Sequence, residues 1–204
     1  MPMISTGTRE WSPIVFIEPS CGDGRILDQL VCNLASPTHA GQQNHLVLAY
    51  DIDDKLILQC KRKYKSNSKI SVSVQCSNFL ELTKEDVRSS IAQIRGTSDG
   101  ISLVFIGNPP YSSGTGSGSE ICRHLPWQFI IHSIVNIGAN CVSYILPQRC
   151  NKDIERMIIV LEKETNSKWL CDSHELEESM FSFEGDFVKQ PSILQCWYNK
   201  SELI

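Results

Sequence analysis

Five β-prone runs recur along the chain, largely apolar at residues 14–17, 46–50, 101–106 and 141–146 and alternating at 70–74, and a segment of helical periodicity follows each of them. The helical segments are expected at 25–34, where Ile26, Leu27, Leu30, Val31 and Leu34 share a face, then at 55–64, 85–94, 126–137 and up to about Glu164. Strands joined through helices must pair in parallel, because a tight hairpin cannot return the chain in the same direction. The pattern therefore predicts an α/β fold with a doubly wound, Rossmann-like sheet and right-handed crossovers. Residues 169–172 and 192–198 read as a closing antiparallel pair, giving seven strands, mostly parallel with an antiparallel C-terminal strand. Asp53 or Asp54 suits the cap of the second helix, and Asn151 or Asp153 that of the last. Phe129, Ile130, Ile134 and Ile137 are the expected core positions of the fourth.

At 204 residues the chain is expected to form one domain, 1–204, with residues 1–13 as an irregular lead and 36–44 as a polar loop. No apolar stretch reaches the length of a membrane span, and the first ten residues lack a basic segment followed by an apolar one. Nine scattered cysteines, an odd number with no C-x-x-C pair, favour reduced thiols and a cytoplasmic or nuclear setting. The five histidines show no metal-ligand spacing, so no metal is expected. A net charge of −4 is unlike a protein that grips nucleic acid unaided. The one dense basic cluster is Lys61, Arg62, Lys63, Lys65 and Lys69, either a solvated helix end or a phosphate-binding patch.

Open α/β sheets bind ligands beyond the carboxyl ends of their strands, so the residues following each run carry the functional signal. After the fourth run stands Gly107-Asn108-Pro109-Pro110-Tyr111. Two prolines make a stiff, extended segment short of backbone donors. What remains are acceptors: the Asn108 side-chain oxygen and the Pro109 carbonyl, matched to the two N–H groups of a planar amine. Tyr111 follows as a ring that can stack on the group so held.

After the first run comes Glu18-Pro19-Ser20-Cys21-Gly22-Asp23-Gly24. Its G-x-G spacing lets backbone approach a ligand, but Leu27 holds the position of a dinucleotide fingerprint's third glycine. Glu18 instead suits a ligand with a cationic amino-acid end and no phosphate, which describes S-adenosylmethionine. Asp51, at the tip of the second run, is positioned for ribose hydroxyls. Asn78 and Phe79 follow the third run, either as contacts to an adenine edge and face or as a turn residue and a core residue.

Glu-Pro-Ser-Cys-Gly-Asp-Gly, Tyr-Asp-Ile-Asp, Ser-Asn-Phe-Leu and Asn-Pro-Pro-Tyr, in this order, resemble the class I S-adenosylmethionine-dependent methyltransferases, specifically the group that methylates adenine N6. The resemblance carries motifs from about Ile14 to Tyr111 and continues by topology. It implies that Glu18, Gly22 and Gly24, with Pro19 and Cys21 beside them, line the methionine end of the cofactor. It implies further that Asp51 and Ile52 border the ribose, Asn78 and Phe79 the cofactor adenine, and Asn108, Pro109, Pro110 and Tyr111 the target amine, with Asn108 also facing the cofactor. Asn78 stands where the family usually has Asp, the segment ahead of the first run is short, and no separate target-recognition domain is visible.

The expected activity is methyl transfer to the exocyclic N6 amine of adenine in nucleic acid, RNA being favoured over DNA, with a protein partner or a structured substrate supplying specificity. A glutamine side-chain amide presents the same two N–H groups, so a protein N-methyltransferase is the alternative; a non-catalytic partner subunit that keeps the fold is another. The glycine- and serine-rich tract 112–120 is either a substrate lid or a plain loop. The acidic and aromatic stretch 175–187 reads as core or loop packing rather than a base-binding platform.

Overall fold

The apolar runs form strands β1 (Ile14–Glu18), β2 (Leu46–Asp51), β3 (Ser71–Cys76), β4 (Ser102–Gly107) and β5 (Cys141–Pro147), alternating with helices α1 (Arg25–Leu34), α2 (Asp54–Tyr64), α3 (Lys84–Arg95) and α4 (Leu125–Ile131). After β5 come a 3₁₀ segment (Gln148–Asp153), α5 (Ile154–Thr165), β6 (Trp169–Leu176), a short hairpin of β7 (Met180–Phe183) and β8 (Asp186–Lys189), and β9 (Ser192–Asn199). The computed structural model describes residues 13–36, 45–65, 70–111, 124–177, 180–183 and 186–200. The irregular lead up to residue 12, most of the polar loop 36–44, Lys69 and the glycine- and serine-rich tract 112–120 lie outside the described residues, as do the side chains of 180–188.

Seven strands form one sheet in the order β3-β2-β1-β4-β5-β9-β6. β1 to β5 pair in parallel, and β9 runs antiparallel to both β5 and β6. The seven-stranded expectation, with its antiparallel C-terminal strand, is met. Side chains alternate across a strand, so β2 divides its residues between two cores. Leu46, Leu48 and Tyr50 join the cluster that includes Val87 and Ile91 of α3, Ile130 of α4 and Leu161 of α5. Val47 and Ala49 join the cluster containing Leu27 and Val31 of α1 and Ile57 and Cys60 of α2. A strand buried on both faces must lack polar positions, and the run Leu-Val-Leu-Ala-Tyr supplies none.

The helix ends follow local chemistry. Asp53 caps α2, its Oδ1 accepting from the Lys55 and Leu56 amides at 2.9 and 3.2 Å. Thr83 and Asp86 form a reciprocal capping box that starts α3 at Lys84, a residue before the expected Glu85. The fourth helix is not uniform as expected: α4 passes into a π-helical turn at His132–Ile137. There Ser133 Oγ donates to the Phe129 carbonyl at 2.8 Å and lies 2.7 Å from the Tyr144 hydroxyl, a buried network linking this turn to β5. β6 runs four residues past the expected Asp172, and the β7–β8 hairpin was not expected.

The chain builds β1, β2 and β3 outward in one direction, then returns to place β4 on the other side of β1. Loops from adjacent strands diverge at such a reversal and leave a crevice beyond their carboxyl ends. The reversal falls at the ends of β1 and β4, Glu18 and Gly107, where such a sheet is expected to take its ligand.

Candidate active site

The ends of β1 and β4 meet at van der Waals distance because residue 107 has no side chain. A Cβ there would lie 3.3 Å from Pro19 Cδ, 3.7 Å from Glu18 Cγ and 3.8 Å from Tyr144 Cε1. The Ser20 hydroxyl closes the junction by donating to the Asn108 carbonyl at 3.3 Å. The first-strand loop and the Asn-Pro-Pro-Tyr segment are thereby one unit. Gly107→Ala is expected to wedge this junction apart and destabilise the fold by about 1–3 kcal/mol, the usual range for overpacking, as checked by denaturant unfolding.

Glu18 is 1% exposed, and its Oε2 has no hydrogen-bond partner among the described residues. Burial, followed by the charges of Asp51, Asp23 and Asp28, pushes its carboxyl well above the usual carboxylate range. An orphaned buried carboxyl at a strand end fits a ligand that brings its own donor or positive charge. Asp51 is half-buried, with Oδ2 accepting the Gly22 amide at 2.8 Å and Oδ1 the Asp53 amide at 3.0 Å. Each carboxylate oxygen has two lone-pair sites, so Asp51 ties the first two loops together and retains acceptor capacity for hydroxyls.

The two glycines of the first loop do different things. Gly22 has φ +52°, and nothing stands within 4 Å of the position its Cβ would occupy, so its open side is available to a ligand. Gly24 has φ +82° and faces inward, where a Cβ would sit 3.0 Å from Cys60 Sγ and 3.3 Å from the Tyr64 hydroxyl. Its role in the structure is to let α1 start against α2. The Tyr64 hydroxyl donates to Asp28 Oδ1 at 2.6 Å, and Lys63 pairs with the same carboxylate. Cys21 and Pro19 are buried beneath the loop, with the Cys21 amide donating to the Tyr50 carbonyl at 2.9 Å. Burial, then the charge of Glu18, raises the Cys21 thiol far above its ordinary range and keeps it protonated.

In the Asn-Pro-Pro-Tyr segment Pro109 is buried, Pro110 exposed, and Asn108 and Tyr111 half-buried. The Tyr111 hydroxyl donates to Asn108 Oδ1 at 2.5 Å, with the Ile145 carbonyl further off at 3.4 Å. Burial pushes the Tyr111 phenol up to about 12, against an opposing bond with Ser192, so it remains a neutral donor at physiological pH. This bond sets which way the Asn108 amide points and leaves Oδ1 its second lone pair. Its hydroxyl thus orients Asn108, a role beside the stacking expected of its ring.

Of the alternatives at the third loop, the structure shows the turn residue and the core residue. Asn78 Oδ1 accepts the Leu80 amide at 3.2 Å and its Nδ2 donates to Glu81 Oε1 at 2.7 Å. Phe79 is 1% exposed, its ring 5.7 Å from that of Phe105, 5.4 Å from Phe129 and 4.8 Å from His132. A ring enclosed in this way has no open face for an adenine. Ile52, by contrast, is 74% exposed at the rim beside Asp51.

Three residues that the sequence pattern did not single out belong to this region. Ser20 bridges to Asn108, Tyr144 packs beneath Gly107, and Arg149 donates from its guanidinium to the Tyr111 carbonyl at 2.8 Å. Only Ser20, inside the motif, carried a local signal. Among the described residues no group of three or more His, Cys, Asp or Glu side chains is placed to hold a metal ion, and no helix is long and apolar enough to cross a membrane.

No family model matches the chain, and no curated protein matches it by sequence. Solved structures do. A chain assigned as the modification subunit of a type I restriction enzyme from Vibrio vulnificus superposes with a TM-score of 0.62 at 13% identity, covering 93% of this chain and 41% of that one. A protein assigned as a class I S-adenosylmethionine-dependent methyltransferase from Listeria monocytogenes gives 0.61 at 15% identity, covering 93% and 55%. The 23S rRNA methyltransferase ErmE gives 0.55 at 11%, covering 93% and 63%. The chain thus spans between two fifths and just under two thirds of the length of these structures. With the sheet order and its reversal between β1 and β4, these superpositions show that the chain has the Rossmann-like fold of the class I methyltransferases.

Proposed function

We propose that the protein binds S-adenosylmethionine at the first-strand loop and transfers its methyl group to the exocyclic N6 amine of adenine in a nucleic acid. The observation that supports this reading is the close approach at Gly107, which joins the strand end carrying the orphaned Glu18 carboxyl to the strand end that leads into Asn108. Glu18 and the open side of Gly22 would hold the amino-acid end of the cofactor, and Asp51, with Ile52 beside it, the ribose. Asn78 would border the cofactor adenine through its amide and backbone, Phe79 serving from beneath as packing. When bound, the cofactor supplies an electrophilic methyl on a sulfonium.

The chain's own residues would supply positioning. Asn108 Oδ1 and the Pro109 carbonyl accept the two amino hydrogens, which draws the nitrogen lone pair out of conjugation with the ring and directs it along one line. Pro109 and Pro110 keep that pair rigid, so little reorganisation is needed as charge develops. No strong base is required, because the nitrogen becomes acidic only after it gains a methyl. The base must leave its stack to reach the crevice, which favours unpaired or extruded adenines. We favour RNA over DNA, since folded RNA presents unpaired bases and shape together.

The test is to incubate the protein with methyl-labelled S-adenosylmethionine and, separately, an adenine-containing RNA, the matching DNA, and a glutamine-containing peptide. Label recovered as N6-methyladenine by mass spectrometry supports the reading; label on the glutamine amide, or on another ring atom, overturns it.

A further inference from the structure

A second cleft, of about 390 Å³, opens between the first turn of α4 and the segment that follows β5. Its floor includes Pro126 and Trp127, both buried, and its rim carries Arg149, Lys152 and Arg156. These cations are spaced i, i+3, i+7, so no dense run marks them in the sequence. The 3₁₀ segment leading into α5 brings them to one side of the cleft. Among the described residues lining it Asp153 is the one acidic residue; its side chain is 17% exposed and 3.7 Å from Arg156, a loose pair that leaves the arginine 71% exposed. Among the described residues the rim therefore holds three cations against one carboxylate, on a chain whose net charge is −4. A local positive excess on an acidic protein concentrates polyanions at that spot. The cleft is also tied to the proposed active site through Arg149, which donates to the Tyr111 carbonyl at 2.8 Å.

We propose that this cleft binds phosphodiester groups of the strand that carries the target adenine. The inference rests on the methyltransferase reading for its choice of polymer. It assigns phosphate contacts to Lys152 and Arg156, and a linking role to Arg149, which reports occupancy of the cleft to the Asn-Pro-Pro-Tyr backbone. Phosphate contacts carry no base identity, so the cleft would set affinity and register while the crevice at Asn108 selects the base.

The experiment measures binding of a fluorescein-labelled, single-stranded, adenine-containing RNA, and of the matching DNA, by anisotropy across a salt series. For a single strand each neutralised phosphate contributes roughly −0.7 to the slope of log K against log salt. The double variant Lys152→Glu, Arg156→Glu is expected to flatten the slope by about 1.4, because two phosphates are no longer neutralised. Asp153→Asn is expected to tighten binding, and the control Lys61→Glu, Arg62→Glu on α2 to leave the slope unchanged. An unchanged slope in the first variant, or the flattening appearing in the control instead, overturns the proposal. Calorimetry with S-adenosylmethionine on the same samples separates the two ideas. Parent protein that fails to bind the cofactor defeats the methyltransferase reading, whereas a retained cofactor affinity and methylation with an unmoved slope defeats the cleft alone.

Discussion

Asn108→Ala is expected to lower the rate of methyl transfer by about 10²–10³-fold, the cost of removing one preorganised acceptor or donor from a reacting centre. Cofactor affinity should remain within about twofold, because the proposed cofactor contacts come from the ends of β1, β2 and β3 rather than from this side chain. The variant removes the acceptor that Tyr111 orients at 2.5 Å and leaves the backbone link between Ser20 and residue 108 in place. Asn108→Asp retains oxygen acceptors and should lose less than the alanine variant. Single-turnover transfer of labelled methyl, beside calorimetric titration of the cofactor, separates the two effects. A rate preserved in Asn108→Ala would remove the reason for the rigid proline pair.

Glu18→Gln is expected to act in opposite directions on stability and on binding. The folded protein holds a proton on Glu18 well above the pH at which an unfolded glutamate loses it, chiefly because of burial and then because of Asp51, Asp23 and Asp28. Between those two pKa values the native state binds more protons than the unfolded state, so the stability of the free protein falls as pH rises through that window. Below the unfolded value both forms are protonated and the contribution is constant. Glutamine has no proton to lose, so the variant's thermal midpoint should lack this decline and exceed that of the parent at neutral pH. Its affinity for S-adenosylmethionine should fall by about 10²–10³-fold, since the cationic amino group would be left in a buried site without its counter-charge. For the parent, the proposed pair requires Glu18 to ionise on binding. Calorimetry in buffers of different ionisation heat should therefore detect a released proton, and affinity should rise with pH across the same window. A variant that binds the cofactor normally would move Glu18 from the binding site to the packing of β1.

What could be read in the sequence was whatever depended on local periodicity or on short-range backbone geometry. The central run Leu46 to Tyr50 declared its strand because a doubly covered parallel strand has no room for polar residues, and the edge strand β3 declared itself by alternation instead. Asp53 declared its cap, and Gly107 the end of a strand. Long-range closures were not legible. Nothing near Phe79 says that Phe105, Phe129 and His132, from three separate segments, surround its ring. Nothing near Arg149 says that it meets the Tyr111 carbonyl 38 residues away. The turn of Tyr111 onto Asn108 also depends on the ends of β5 and β9, where Ile145 and Ser192 confine the phenol. The β7–β8 hairpin was hidden by its composition: Met180-Phe-Ser-Phe and Asp-Phe-Val-Lys are separated by Glu184-Gly185, a two-residue spacing that serves a hairpin, yet the surrounding acidic residues resemble those of a loop. Thr83, three residues before Asp86, is a local capping signal that places the start of α3 one residue earlier than its apolar periodicity alone does.

The most direct measurement is a crystal structure of the protein with S-adenosylhomocysteine and adenosine monophosphate. The account predicts the adenine amine donating to Asn108 Oδ1 and to the Pro109 carbonyl at about 2.7–3.2 Å, with the amino-acid end of the cofactor product against Glu18. An adenine amine turned away from Asn108, or a cofactor product seated away from the strand ends that carry Glu18, Gly22 and Asp51, would contradict it.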